Sequence, residues 1–352
     1  LENTLRELRG AASPHAPEAA SVLPTQRTLG TQRTLSDEQL IQYSSEIARG
    51  LLAGSQQLRS REEHAREQLL SRLMSDATGQ LFTTCLTDRA YRSHQPARIV
   101  DAARQLLRVL DVPNYLPLLA RTQLRLLLRA GPFVPQLAAS GLLHRLRTET
   151  RSVVLPAQEP QLSQHLETRR VEHTTLNLNY LGEAVLGERE AAARCAAYEA
   201  LLTRPDVAAI SIKLSSISSR VDPLAFHDTV SDLKPPLRRL LRVALAHTAR
   251  WPDGTDKPKL VSFDMEAYRD LALTFEVFVA VMSEPEFLPL QTCLVLQAYL
   301  PDSHAYQREL TRFAELRMQR GGAPLRLRIV KGANLAAESV ESSLRGWPMP
   351  TF

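Results

Sequence analysis

Residues 207–214 read VAAISIKL, 259–266 KLVSFDME, 292–299 TCLVLQAY and 325–332 LRLRIVKG. Each is a short run rich in β-branched and aliphatic residues, the composition of a strand covered on both faces. TTLNLNY at 174–180 precedes them as a fifth, more polar run. Longer stretches with helical spacing lie between them, at 183–203, 223–250, 267–283 and 303–320, and another begins near 336. Strands buried on both faces and separated by helices pair in parallel through right-handed crossovers, so the class is α/β. The runs are centred near 177, 211, 262, 295 and 328, close to the spacing of about 30 residues in an eight-unit barrel. No GxGxxG or GxxxxGK[ST] follows any of them, which counts against an open doubly wound sheet. The expected architecture is a (β/α)8 TIM-type barrel, incomplete here at about five strands. Closing it takes on the order of 100 further residues, so the sequence is expected to be part of a longer protein.

Upstream the grammar is different. Ser36 and Gln39 form a capping box, and Leu40, Ile41, Ile47, Leu51 and Leu52 then recur at helical spacing. Helical patterns continue to about residue 147, punctuated by Pro96, Pro113, Pro117, Pro132 and Pro135. Residues 11–35 are rich in Ala, Pro, Ser and Thr and repeat TQRTL at 25–29 and 31–35, the composition of a mobile arm. The expected division is a flexible arm at 1–35, a helical region at 36–165 and the partial barrel at 166–352.

Composition narrows the function. Of 352 residues, 44% are hydrophobic and 23% charged, enough for a sizeable core, and no run is long and apolar enough to span a bilayer. The first ten residues, LENTLRELRG, lack the apolar core of a secretory signal. Cys85, Cys195 and Cys293 are far apart and lack ligand spacing, which excludes a disulfide scaffold or zinc site and fits a reducing cytoplasm. The formal charge of +5 comes from dispersed arginines rather than a basic block, so nucleic acid is not an expected partner. Arg-rich faces such as RTQLRLLLR at 121–129 read as solvated helix surface in preference to a lipid-docking face.

In parallel α/β folds, reactive groups gather at the carboxyl ends of strands. Asn179, Lys213, Asp264, Glu266, Gln297, Tyr299, Arg328 and Lys331 all stand at or near such ends. Lys213 alternates with Ile212 and Leu214, and an interior ammonium needs an anionic partner, for which Asp264 is the nearest candidate in the pattern. Arg328 offers a fork suited to a planar or anionic ligand. Gln297 carries both donor and acceptor, suited to the edge of a heterocycle or to neighbouring backbone. Gly332, in Lys331-Gly332-Ala333-Asn334, removes a Cβ where something approaches the backbone. His173, His227, His247 and His304 lack metal spacing, and no G-x-S-x-G elbow surrounds Ser215, Ser216, Ser218 or Ser219.

Read in order, these strand ends resemble the flavin-dependent proline dehydrogenase family, more narrowly the proline dehydrogenase part of bifunctional proline utilization A proteins. The matching stretches are NYLGEAVLGEREA from Asn179, ISIKLSSI from Ile210, VSFDMEAYRD from Val261, LVLQAYLPDS from Leu294 and LRIVKGAN from Leu327. Asn334 stands where many members carry an aromatic residue. The resemblance implies an FAD-binding barrel that oxidises L-proline to Δ1-pyrroline-5-carboxylate and passes electrons to a quinone. By motif position it implies Arg328 beside the flavin, Gln297 bonded to the isoalloxazine, and the backbone of Val330, Lys331, Gly332 and Ala333 lining the cofactor. Lys213 would hold the proline carboxylate, with Asp264 pairing with it or ordering the site. A cytoplasmic protein, peripheral on the inner face of the cell membrane and able to form homo-oligomers, is the matching expectation. The alternatives are a Schiff-base lyase using Lys213 or Lys331, and a catalytically inactive barrel fragment.

Overall fold

The computed structural model describes residues 36–352 except 94, 151–153, 156, 158, 181–184 and 252. The expected arm at 1–35, with its TQRTL duplication, lies outside the described residues. The rest divides into two compact units, one ending at Pro156 and the other spanning Ala157–Phe352.

The first unit is helical: α1 (Asp37–Gln57), α2 (Arg61–Ser75), α3 (Ala77–Arg92), α4 (Pro96–Leu110), α5 (Leu118–Ala130) and α6 (Pro135–Thr150). Ser36 with Gln39 and Ser60 with Glu63 form complete capping boxes at α1 and α2, each satisfying two backbone N–H groups that a helix start leaves free. Pro96 opens α4, where its missing N–H forfeits no helical bond. Ile99, Val100, Ala103 and Leu106 of α4 pack with Leu124 and Leu128 of α5 and Ala138 and Leu142 of α6. The Asp76 carboxylate caps α3 through the Gly79 N–H and also accepts from the N–H groups of Asn114 and Tyr115, which ties α3 to the chain entering α5. The same backbone donors hold its carboxyl below the usual range. The apolar set of α1, Leu40, Ile41, Ile47, Leu51 and Leu52, is exposed.

The second unit contains α7 (Gln161–Val171), β1 (Asn177–Asn179), α8 (Glu188–Thr203), β2 (Ala209–Ile212), the short α9 (Leu214–Ile217) and α10 (Phe226–Ala246). It continues with β3 (Thr248–Arg250), β4 (Asp256–Pro258), β5 (Leu260–Phe263), α11 (Leu271–Met282), β6 (Thr292–Gln297), α12 (Ser303–Gln319), β7 (Arg326–Val330) and α13 (Leu335–Arg345). Residue 166, where the barrel part was expected to begin, falls within α7. All five expected strands form, each shorter than its sequence run, because the polar residues at the run ends leave the ladder to form the site.

Strands β1, β2, β5, β6 and β7 make one parallel sheet in that order. The order follows the chain without reversal, so there is no switch point of the doubly wound kind, and the sheet is part of an α/β barrel. Register decides what faces inward. Ile210, Ile212, Val261, Phe263, Leu294 and Leu296 turn outward into the main core with Leu233, Leu237, Leu240 and Leu241 of α10 and Phe275, Phe278 and Val279 of α11. The alternate residues line the inner wall. Its lowest layer is Ala209, Leu260 and Cys293, packed with Trp251 from the small antiparallel hairpin of β3 and β4. That hairpin interrupts what the sequence reads as one helical stretch to residue 250, and it also accounts for the wider gap between the second and third strand runs.

Two buried cations organise the far side of this unit. Arg317 of α12 is 2% exposed and donates to the carbonyls of Met282, Phe287, Leu288, Leu290 and Ala323. A Cβ at Gly322 would lie 2.7 Å from Arg317 Cγ, so glycine there lets the chain fold over the guanidinium. Lys259 donates to the carbonyls of Arg204 and Val207, joining the start of β5 to the turn before β2, and burial pushes its ammonium down to about 8. At the start of α11, burial pushes the Asp270 carboxyl up to about 6, against the attraction of Arg269 and reinforced by Glu266, Glu341 and Glu338.

Arg317→Met is expected to leave several buried carbonyls without donors and to lower unfolding free energy by roughly 3 kcal/mol or more. A lower urea midpoint at unchanged slope would register this, and a midpoint equal to wild type would contradict it. For Asp270, between the ordinary carboxylate value and 6 the folded chain holds a proton that the unfolded chain has released, so stability falls as pH rises through that window. Asp270→Asn is expected to remove this slope and to raise stability at pH 7 by roughly 1–3 kcal/mol, with little change at pH 4. Parallel urea series across pH 4–7 for both proteins check it.

Candidate active site

The carboxyl ends of β1, β2, β5, β6 and β7 open on one mouth, and its centre is Asp264, the residue after β5. Asp264 is 8% exposed. Its Oδ2 accepts from Asn179 Nδ2 at 2.8 Å and its Oδ1 from Ser211 Oγ at 3.1 Å, while Arg328 Nη2 lies 3.5 Å from Oδ1. Asn177 Nδ2 in turn donates to Ser211 Oγ at 2.9 Å. Burial raises the Asp264 carboxyl from its ordinary value, and Arg328, the Ser211 hydroxyl, Lys213 and the Asn179 amide all pull against that rise. Ser211, unremarked in the sequence, belongs to this cluster because it shares the inward register of Lys213, two residues on.

Lys213 stands at the end of β2, where its pattern places it, but without the ion-pair partner expected for it. It is the residue directly after β2 and immediately before the short helix α9, where its side chain forms no cap; it is half-buried, and its ammonium makes no ion pair within 4 Å among the described residues. Asp264 is committed to Asn179, Ser211 and Arg328, and Lys213 acts on it only as a nearby charge. Arg328 keeps 48% of its side chain exposed on the inner wall of β7, leaving guanidinium N–H groups available beyond the Asp264 contact. The mouth therefore presents two cations around one buried acid.

Gln297 ends β6 and is 2% exposed. Its Nε2 donates to the Glu266 carbonyl at 2.9 Å and lies 3.3 Å from Tyr299 Oη, whereas its Oε1 is buried with no hydrogen-bond partner. The Glu266 carboxylate accepts from Ser215 Oγ at 2.8 Å, so this residue links the loops after β2 and β5. After β7, Val330 is half-buried, Lys331 and Ala333 are exposed, and Gly332 has φ +108°. A Cβ at Gly332 would fall 1.8 Å from Tyr299 Cε1, so the group approaching this backbone is the Tyr299 ring. Asn334 Nδ2 donates to the Glu266 carbonyl at 2.8 Å. Part of the first matching stretch, residues 181–184, lies outside the described residues.

No group of three or more His, Cys, Asp or Glu among the described residues is placed to hold a metal ion. No described helix is long and apolar enough to cross a membrane.

Comparison with known proteins gives a consistent picture. The solved structure of proline utilization A from Corynebacterium freiburgense is 36% identical over 68% of this chain, with a TM-score of 0.55. That from Bdellovibrio bacteriovorus, inactivated by N-propargylglycine, is 24% identical over 80%, with a TM-score of 0.60. A proline utilization A structure with proline bound in remote sites is 21% identical over 87%, with a TM-score of 0.50. These alignments cover 23%, 28% and 35% of the respective solved chains, so this chain spans about a quarter to a third of their length. No curated protein gives a significant match. The family model for proline dehydrogenase matches residues 162–352, over half of the sequence and the whole of the sheet with its mouth, and the chain belongs to the proline dehydrogenase family.

Proposed function

We propose that the protein oxidises L-proline to Δ1-pyrroline-5-carboxylate, with FAD as its acceptor and a quinone receiving the electrons afterwards. The observation that carries this reading is the convergence of Asn179, Ser211 and Arg328 on buried Asp264, with Lys213 left unpaired among the described residues, in a chain of the proline dehydrogenase family.

The residues present fit the cofactor. The buried, unpartnered Gln297 Oε1 lacks a donor, and an oxidised isoalloxazine carries one ring N–H that can supply it. Gln297, Arg328 and the backbone from Val330 to Ala333 are the groups assigned to hold FAD. When bound, it supplies an acceptor for two electrons.

The remaining work falls to the chain. Lys213 binds the substrate carboxylate, for which its unpaired ammonium is suited. Asp264 holds Arg328 on the inner wall, so that the guanidinium faces the cofactor position with its charge already oriented. Preorganised cations would stabilise the negative charge gained by the electron acceptor, and they need no reorganisation to do so. Oxidation of the amine releases protons, and deprotonated substrate nitrogen is favoured beside two cations. Peripheral placement on the inner face of the cell membrane, where quinone is found, belongs to the same reading.

Anaerobic addition of L-proline to the FAD-loaded protein is expected to bleach the flavin absorbance. Arg328→Met is expected to slow that bleaching by about 100-fold, the scale on which a preorganised electrostatic contact acts. Bleaching at the wild-type rate would remove Arg328 from the role given to it. Absence of FAD binding, together with borohydride trapping of a carbonyl substrate on Lys213 or Lys331, would favour the lyase alternative.

A further inference from the structure

Asn334 is the residue immediately before α13, a position where Asn normally turns its side chain back to accept from the first free N–H groups of its own helix. Here it makes no such cap. Its amide instead reaches across the mouth and donates to the Glu266 carbonyl at 2.8 Å. The same carbonyl accepts from Gln297 Nε2 at 2.9 Å. A carbonyl oxygen has two lone pairs, and both are engaged by side-chain amides, one from the end of β6 and one from the loop after β7.

This sharing fixes the orientation of Gln297. The two N–H donors of Nε2 face the Glu266 carbonyl and Tyr299 Oη, so the amide oxygen is left as its outward group, and that oxygen is the buried acceptor without a partner. Glu266 is anchored from the other side by Ser215 Oγ on its carboxylate. The Asn334 bond closes the ring, binding the loop after β7 to the loop after β5. Tyr268 N–H, donating to Glu338 Oε1 at 2.7 Å, ties the same segments further along, but only the Asn334 bond holds the carbonyl that orients Gln297 from the β7 side.

We propose that Asn334 is a positioning residue: by binding the Glu266 carbonyl in place of capping its own helix, it sets the Gln297 amide so that Oε1 accepts from the ring N–H of the isoalloxazine. The proposal rests on the flavin reading given above and assigns a residue to that site which neither the family match nor the motif order supplies. It also separates two effects that usually move together. A residue that caps its helix raises fold stability, whereas Asn334 as placed contributes to ligand geometry, so replacing it with a short capping residue should weaken cofactor binding without weakening the fold.

The test compares the wild-type protein with Asn334→Ser, Asn334→Ala, Gln297→Met and the Gln297→Met/Asn334→Ala double variant. FAD affinity is read by quenching of flavin fluorescence, and stability by the melting temperature of the flavin-free protein. Ser caps a helix but is too short to reach Glu266. Asn334→Ser is therefore expected to raise the FAD dissociation constant about fivefold, the effect of one ordinary hydrogen bond, with a melting temperature at or above wild type. In the double variant the dissociation constant should equal that of Gln297→Met alone, since Asn334 acts through Gln297. Wild-type FAD affinity in Asn334→Ser, or factors that multiply in the double variant, would overturn the positioning role while leaving the flavin reading intact. A parallel loss of affinity and melting temperature in Asn334→Ser would reduce Asn334 to a structural tie. If the wild-type protein itself binds no FAD, both readings fall together.

Discussion

The Asp264 carboxylate is the constraint on which the mouth of this sheet depends. Asn179 and Arg328 stand on β1 and β7, the two edge strands, each two strand spacings from β5. In a flat sheet each would be about 10 Å from the central strand. Both nevertheless reach one carboxylate, as the inner wall of a curled sheet allows. A parallel sheet in strict chain order with this curvature is a barrel wall, and the acid at its centre takes the charge and hydrogen bonds of both edges. The cost of burying a carboxylate is offset by three polar partners, and its raised proton affinity records how incompletely.

The same chain treats the cations at the two ends of its sheet in opposite ways. Lys259 and Arg317 lie at the end of the unit away from the mouth and are held by backbone carbonyls, two for Lys259 and five for the guanidinium of Arg317. Such groups fix turns that carry no regular structure of their own, since a buried carbonyl without a donor is costly. Lys213 and Arg328, at the mouth, are not engaged in that way. Lys213 directly follows β2 and Arg328 lies on β7; Arg328 contacts Asp264, and Lys213 acts on it only as a nearby charge. In a sequence with only five lysines, Lys259 before β5 donates to two backbone carbonyls, while Lys213 after β2 makes no ion pair among the described residues.

Much of this was legible before the structure. The five strand runs, their parallel pairing and the helices between them follow from periodicity and composition, because strands covered on both faces cannot be polar in their middles. The capping box at Ser36 is local, and local chemistry reads well. The hairpin of β3 and β4 did not read, since its strands have three residues each and carry charges that resemble a helix surface. The partner of Asp264 did not read either. Alternation along β2 and β5 turns Lys213 and Asp264 to the same face, but which cation lies within reach of the carboxylate depends on the curl of the sheet, and that brought Arg328 from two strands away in place of Lys213.

Gly332 and Asn334 show the limit of motif reading at single residues. The glycine signals that something approaches the backbone, and the approaching group is the Tyr299 ring of the neighbouring strand end. Tyr299 also stands 3.3 Å from Gln297 Nε2, so the glycine acts on the site through the residue that it admits. Asn334, at the first position before a helix, has the sequence signature of a cap, and only the direction of its amide distinguishes a cap from a cross-link. The two residues lie within one four-residue turn, and both act on Gln297: one by making room for the tyrosine that takes one of its N–H groups, the other by holding the carbonyl that takes the second. A buried amide with both donors committed has a single orientation, and a fixed acceptor is what a planar ligand with one ring N–H requires.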